Sequence, residues 1–96
     1  MITWDQQVCP HSEVVDTELD TGETVLLQLE STMYYSLNTT GTRIWQGLKR
    51  GWTLQEISEQ LQAEFAVGAE QAHRSVLALV NELWVQQLVQ RPADSS

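Results

Sequence analysis

The spacing of the apolar residues changes once along the chain, near Asn38, and this change most constrains the fold. Before it, apolar residues alternate with polar ones in short segments, which is typical of β-strands. After it, they recur every three or four residues, which is typical of α-helices with one buried face. The chain has 96 residues, enough for one hydrophobic core. We therefore expect one domain in which strands come first and helices follow.

Three short strands are predicted in the first part of the chain. The segment 24–30 alternates most clearly, and the segments 14–19 and Met33–Leu37 do so over a shorter length. The residues between them, 20–23 and 31–32, are too few for anything but tight turns. Strands joined by such short turns pair as antiparallel neighbours, so a three-stranded meander is predicted.

Three helices are predicted in the remainder. Asn38 is a suitable N-cap for the first helix, and Thr53 with Glu56 forms a capping box for the second. Residues 66–68 interrupt the helical spacing, and the third helix is predicted from about residue 69 to residue 87. Its core-facing stripe is predicted to contain Ala72, Val76, Leu79, Val80, Leu83 and Gln87.

The predicted architecture is an α+β fold. It resembles a winged helix-turn-helix, with a three-stranded antiparallel sheet followed by a three-helix bundle, because sheet and helices must bury their apolar faces against one another. We expect residues 1–96 to form a single domain whose folded part spans residues 12–90. The two ends, 1–11 and 91–96, are expected to be mobile.

The balance of charge excludes several kinds of partner. The chain has 5 Lys and Arg against 13 Asp and Glu, a net charge of −8. Binding to nucleic acid requires clustered basic residues, so no nucleic-acid partner is expected. No uncharged apolar run approaches the ~18 residues of a membrane span, so no membrane association is expected either. The single cysteine, Cys9, forms no internal disulfide and favours a cytoplasmic location.

The sequence contains no recognisable catalytic motif. It has neither a glycine-rich phosphate loop nor a Gly-x-Ser-x-Gly elbow. Cys9 and His11 are two possible metal ligands, too few for a closed zinc site. His73 lies on a helix flank, where a packed or surface histidine is more common than a catalytic base. The chain is therefore predicted to be a binding module that is not an enzyme and has no metal, cofactor or catalytic residue.

A combination of motifs follows from Tyr34 onward. A Tyr-Tyr-x-Leu-Asn segment is followed by an Ile-Trp pair at Ile44 and Trp45, and then by the capping box at Thr53. In this order and at this length, the pattern resembles the PqqD-like proteins, the precursor-peptide recognition elements of ribosomally synthesised, modified peptides. The likeness covers about residues 12–90. Within the family it is closest to the stand-alone leader-binding proteins of lasso-peptide pathways.

The resemblance implies a non-catalytic protein that binds the leader segment of a precursor peptide. In this family the leader adds as a fourth antiparallel strand beside the third strand, and its side chains enter the cleft between that strand and the third helix. The bound precursor is thereby delivered to its modifying enzymes. In lasso-peptide pathways these partners are a separate leader peptidase and a ring-forming synthetase.

The resemblance places the peptide-binding site on the third strand and the third helix. On the helix, Leu77 and Trp84 are spaced to wall an apolar pocket, with Arg74 and Asn81 at its polar rim. The alternative is that Leu77 and Trp84 are simply core residues. Of the two tyrosines, Tyr35 is expected to point inward and Tyr34 outward. The predicted binding residues are Met33, Tyr34, Tyr35, Ser36, Leu37, Arg74, Leu77, Asn81 and Trp84.

Three other functions stay open at this point. One is a peptide chaperone of the PqqD type in pyrroloquinoline quinone biosynthesis. Another is a winged-helix transcription regulator, although its recognition helix would present only Arg74 as a basic residue. The third is an adaptor that binds another protein.

Overall fold

The computed structural model describes residues 2–92 of the chain. Strands and helices follow one another in the predicted order, with one additional short strand at each end. The elements are β1 (Cys9–Pro10), β2 (Val14–Glu18), β3 (Thr24–Gln28), β4 (Met33–Leu37), α1 (Thr39–Lys49), α2 (Leu54–Phe65), α3 (Ala69–Val85) and β5 (Val89–Gln90).

The main sheet has three antiparallel strands in the order β2-β3-β4. Each strand pairs with the next one in sequence, because the turns between them are short. The central strand β3 buries Thr24, Leu26 and Gln28 on one face. That inner face meets α1, where the Thr42 hydroxyl donates to the Thr24 hydroxyl at 2.9 Å. The predicted α+β fold of a meander followed by three helices is confirmed.

The helices begin where their capping residues predict. The Asn38 side chain accepts a hydrogen bond from the Gly41 backbone N–H at the start of α1. Thr53 and Glu56 exchange both bonds of a capping box at the start of α2. α2 ends at Ala66, which adopts the left-handed conformation with φ of 53°. The break predicted at residues 66–68 is therefore present.

α3 ends earlier than predicted. It stops at Val85, and Gln87 lies in the following turn with a positive φ of 60°. Gln87 is therefore exposed and does not belong to the core stripe. Its backbone carbonyl instead accepts a hydrogen bond of 2.7 Å from the buried Gln28 side chain. Ala72, Val76, Val80 and Leu83 are fully buried, and Leu79 is half-buried.

The N-terminal segment is packed onto the domain, contrary to the expectation that residues 1–11 are mobile. Ile2 and Val8 are only 2% and 1% exposed. The Ile2 backbone N–H donates to Asn81 Oδ1 at 2.7 Å, and Asn81 Nδ2 donates to the Ile2 carbonyl at 3.2 Å. β1 pairs with β5 in a second, two-stranded sheet. The sequence showed no periodicity here, because these apolar residues are separated by polar ones.

The expectation of a mobile C-terminal tail falls mainly on residues 93–96, which lie outside the described residues. No helix within residues 2–92 is long and apolar enough to cross a membrane.

Candidate functional site

One edge of the main sheet is open to a further strand. In the order β2-β3-β4, both β2 and β4 are edge strands. β2 carries Asp16 and Glu18, and charged side chains on an edge discourage pairing with another chain. β4 has the sequence Met-Tyr-Tyr-Ser-Leu and carries no charge. The edge of β4 is therefore the one chemically suited to bind an extended peptide.

The register of the sheet decides which backbone groups of β4 are free. The Leu29 N–H donates to the Glu13 carbonyl and the Leu19 N–H to the Glu23 carbonyl, so odd-numbered residues of this hairpin bond across β2 and β3. Because hydrogen-bonding direction alternates along a strand, even-numbered residues of β3 bond to β4. Their partners there are Met33, Tyr35 and Leu37.

It follows that the backbone N–H and C=O groups of Tyr34 and Ser36 point away from β3, toward the open edge. Their side chains lie on the outer face of the sheet, where the Tyr34 ring is 70% exposed. Tyr35 and Leu37 lie on the inner face, half-buried and buried respectively. This is the arrangement expected from the sequence for the two tyrosines.

A groove of about 540 Å³ runs between β4 and α3. The inward side chains of β4 form one wall, the start of α1 forms the floor, and α3 forms the other wall. The groove is lined by Tyr35, Ser36, Leu37, Asn38, Thr40, Gly41, Ile44, Ser75, Ala78, Leu79 and Glu82.

The groove is mostly neutral, with one acidic group. Among the described residues that line it, Glu82 is the only carboxylate, and there is no lysine, arginine or histidine. Burial raises the pKa of the Tyr35 phenol above its usual value, and the negative charge of Glu82 raises it further. Tyr35 therefore stays a neutral hydrogen-bonding group beside a negative one. A basic side chain of a bound peptide would be favoured at this position.

The structure places the predicted helix residues on the other flank of α3. The core stripe has two flanks, and Arg74, Leu77 and Asn81 lie on the flank that faces away from β4. They border a separate shallow surface pocket of about 510 Å³. Trp84 is half-buried and packs against the core. None of these four residues is among those that line the groove beside β4.

Contacts on that flank explain what its residues do instead. Asn81 clasps the backbone of Ile2 through the two bonds described above. The Trp4 ring stacks on His73 with ring centroids 3.6 Å apart. Arg74 forms an exposed ion pair of 3.5 Å with Glu70, four residues earlier on the helix. The N-terminal segment thus packs on the face that the sequence assigned to the peptide.

The model of the family described as coenzyme PQQ synthesis protein D (PqqD) matches residues 23–89. The chain belongs to the PqqD family. The predicted resemblance is confirmed, and the match extends from the start of β3 to β5, so it includes the open edge and the groove.

Two solved structures are similar to this one. The first is described as TbiB1 in complex with the TbiA(beta) leader peptide; it is 30% identical, has a TM-score of 0.82, and the alignment covers 90% of this chain and 99% of that one. The second is described as lasso peptide synthetase B1 complexed with the leader peptide; it is 28% identical, with a TM-score of 0.80 and coverage of 88% and 98%. No curated protein sequence matches the chain significantly.

The sequence predicted that β4 of this PqqD-family chain borders the groove, but it did not predict the α3 residues that line the groove. Ser75, Ala78, Leu79 and Glu82 line the groove. The sequence analysis assigned Leu79 to the core stripe, and it contained no pattern that indicated a binding role for Ser75, Ala78 or Glu82. Helical spacing shows which residues are near the core, but it does not show which flank meets the sheet.

The described part of this PqqD-family chain contains no cluster of possible metal ligands. Within residues 2–92, no three His, Cys, Asp or Glu side chains form a group that could hold a metal ion. Cys9 is a free, half-buried thiol.

Proposed function

We propose that this protein is a non-catalytic recognition protein that binds the leader segment of a ribosomal precursor peptide and delivers it to modifying enzymes in lasso peptide biosynthesis. The observation that carries the proposal is the uncharged open edge of β4 along the groove to α3. The two similar structures, both described with a leader peptide bound, support the same reading.

The leader would bind as a fourth antiparallel strand beside β4. Its backbone would pair with the outward N–H and C=O groups of Tyr34 and Ser36, which supplies affinity that does not depend on the peptide sequence. Every second side chain of an added strand points to the inner face. Those side chains would enter the groove, whereas the others would continue the outer face of the sheet.

The groove would supply specificity. Leu79 and Ile44 give it an apolar wall and floor, and burial of apolar side chains is favourable by ~25 cal/mol per Å². Glu82 adds one negative charge on the α3 side. We therefore expect the leader to place an apolar side chain against Leu79 and to tolerate a basic side chain near Glu82 better than an acidic one.

The proposal also concerns partners and location. The peptide-binding residues would be those of β4, Met33 to Leu37, and the residues of α3 that line the groove. These α3 residues replace the helix residues predicted from the sequence. The modifying enzymes would be a leader peptidase and a ring-forming synthetase. The lone free cysteine favours the cytoplasm as the compartment.

The second candidate is a peptide chaperone in pyrroloquinoline quinone biosynthesis. It is favoured by the description of the matching family, coenzyme PQQ synthesis protein D. The binding mode would be the same, so a peptide from each pathway distinguishes the two. Tighter binding of a quinone-pathway precursor than of a lasso leader would favour the second candidate.

Hydrogen exchange measured with and without a synthetic lasso leader peptide tests the binding mode. We expect the amides of Tyr34 and Ser36 to become protected when the peptide is added, since only their N–H groups point to the open edge. The amides of Met33, Tyr35 and Leu37 already bond to β3 and should change little. Protection confined to residues of β2 would show that the peptide uses the other edge.

A pair of proline variants provides the matched test. Ser36→Pro removes one outward N–H of β4 without removing a bond to β3, because proline is tolerated where the N–H of an edge strand faces solvent. Glu18→Pro also removes an outward N–H, here from the open edge of β2, together with the hydrogen bond of 2.7 Å that the Glu18 carboxylate accepts from Gln46 Nε2. Ser36→Pro should weaken leader binding about tenfold or more, and Glu18→Pro should leave it unchanged. The reverse pattern would contradict the proposal.

A further inference from the structure

The outer face of the main sheet is mostly apolar. Strand alternation places Val15, Thr17, Val25, Leu27, Tyr34 and Ser36 on this face, opposite the buried residues of the inner face. Leu29 follows β3 and continues the same alternation, since its N–H donates to the Glu13 carbonyl. Within the described residues no helix covers them: Val15 and Leu29 are each 48% exposed and Tyr34 is 70% exposed. They lie side by side across all three strands, so they form one patch, which we call the outer sheet face.

Such a face calls for an explanation. An antiparallel sheet with one face in water normally alternates apolar residues inward with polar residues outward. β3 departs from this rule, because its outward residues Val25 and Leu27 are as apolar as its inward Leu26. A contiguous exposed apolar patch on a small protein marks an interaction site.

The charges around the face are all of one sign. Glu13 precedes β2 and Glu23 precedes β3, and the strand alternation puts both on the outer side of the sheet. Asp20 and Glu30 lie in the turns that border the face. No lysine or arginine precedes Arg43 in the sequence. Arg43 itself lies on α1, where its side chain pairs with Glu64 of α2 at 3.2 Å. Within the described residues, none of these four carboxylates forms a salt bridge, so the rim of the face is acidic.

This rim argues against a second copy of the chain as the occupant. Two copies placed face to face would bring the same carboxylates together around a dry contact, and like charges juxtaposed at an interface are strongly unfavourable. A surface with the opposite charges would gain both steering and register. We propose that the outer sheet face docks a second, different protein whose surface presents apolar side chains ringed by lysine and arginine.

The position of the face connects it to peptide binding; this step rests on the proposed function. A leader strand added beside β4 would extend the sheet, and its outward side chains would lie next to Tyr34 on the same face. A protein docked there would touch this chain and the leader at once. The occupant would thus be a protein that acts on the bound precursor, which makes the two modifying enzymes the probes to use.

Binding of the purified leader peptidase and of the purified ring-forming synthetase to the full chain tests the proposal in the absence of leader. Val15→Lys puts a positive charge on the β2 side of the face, and Val85→Lys makes the same change at an exposed valine on α3; Val15 is 48% exposed and Val85 is 72% exposed. We expect Val15→Lys to weaken binding of one enzyme at least tenfold and Val85→Lys to leave it within twofold. Val15→Thr, which keeps the β-branched shape, provides a milder variant if the lysine disturbs folding.

The acidic rim is tested separately. The double variant Glu13→Gln/Glu23→Gln should weaken the same complex and reduce its dependence on salt, because attraction between exposed charges is screened by ions. Glu70→Gln changes an exposed carboxylate on α3 that pairs with Arg74; it is the control and should have no effect.

The outcomes separate this inference from the proposed function. The inference is overturned if neither enzyme binds the wild-type chain. It is also overturned if the Val15→Lys and Val85→Lys variants bind the enzyme equally well. Dimerisation of the chain that is lost in Val15→Lys overturns it in favour of a second copy. Leader binding is measured in parallel with a labelled peptide: a chain that binds an enzyme through this face but binds no leader contradicts the proposed function and leaves the docking surface in place.

Discussion

Asp16 is one of the residues through which β2 contacts α1. Its Oδ2 atom accepts a hydrogen bond of 2.7 Å from the Trp45 indole and lies 2.8 Å from Lys49 Nζ. Burial of this carboxyl opposes its ionisation, but the hydrogen bonds from Lys49 and Trp45 outweigh that effect and lower its pKa below the ordinary value of 3.8. The charged form is therefore the one that the folded state stabilises.

Replacing Asp16 with asparagine should make stability less dependent on pH. A pKa that is lower in the folded state than in the unfolded one gives stability above pH 3.8, and this stability is lost as pH falls through the folded pKa. We expect Asp16→Asn to lower the free energy of unfolding by about 1 kcal/mol at pH 7. Urea unfolding of both proteins at pH 7 and pH 3 measures this; an unchanged difference at the two pH values would contradict it.

Leu77 and Leu79 show at the scale of single residues how the two flanks of α3 differ. Both are half-buried leucines packed against the core. Leu79 lines the groove beside β4, whereas Leu77 borders the pocket on the opposite flank. Truncating either leucine should lower the stability of the fold by a similar amount, but only truncation of Leu79 should weaken peptide binding.

Leu79→Ala should weaken leader binding about tenfold or more, and Leu77→Ala should leave it within about twofold. Truncating a leucine that lines the groove removes apolar area that a bound peptide would bury, and a tenfold change corresponds to about 1.4 kcal/mol. Titration of a labelled leader peptide into each variant measures the difference, after circular dichroism has shown that both are folded. Equal effects of the two substitutions on leader binding would show that the peptide does not bind in the groove beside β4.

At the scale of elements, the crossing of α1 and α2 depends on Gly47. A Cβ atom built on Gly47 would lie 2.6 Å from Ile57 Cγ1 and 3.0 Å from Trp52 Cε3. Glycine weakens an isolated helix by ~1 kcal/mol relative to alanine. Glycine is needed at this position of α1 because the close approach of Ile57 leaves no room for a side chain.

Gly47→Ala should therefore destabilise the protein although alanine is the better helix former. Overpacking of a core costs roughly 1–3 kcal/mol, which exceeds the gain in helix propensity. Chemical denaturation of Gly47→Ala is compared with the same substitution in an Ile57→Ala background, where the clash is relieved. The cost should shrink or change sign in that background; an equal cost in both would show that the Ile57 contact is not its cause.

At the scale of the whole molecule, the two faces of the sheet and its open edge have different chemistry. The inner face is closed by α1, the edge of β4 is uncharged, and the outer face is apolar with an acidic rim. These are the surfaces on which the proposed binding of an extended peptide and of a further protein would depend. Within the described residues it presents no cluster of metal ligands, and the sequence has no catalytic motif.

The purified chain should therefore leave a precursor peptide chemically unchanged. Incubation with the precursor and ATP, followed by mass spectrometry, should show neither cleavage nor ring formation. Addition of the leader peptidase should then produce cleavage, faster with this chain present than without it. Cleavage or cyclisation by the chain alone would show that it is an enzyme.

The sequence by itself determined the local structure, because the signals for strands, turns and caps are short-range. The alternation in Met33–Leu37, the Asn38 cap and the Thr53 capping box each predicted an element that the structure contains. The family resemblance added the prediction that β4 is the docking strand. It needed no tertiary information, since the last strand of a three-stranded meander is an edge.

Only the tertiary structure decided which flank of α3 meets β4. A helix that buries one stripe exposes two equivalent flanks, and the choice between them depends on how the helix crosses the sheet. That choice placed Leu79 and Glu82 in the groove and left Asn81 to clasp Ile2. The packing of residues 2–10 was decided in the same way, because isolated apolar residues have no local pattern and are buried only when a distant surface is complementary to them.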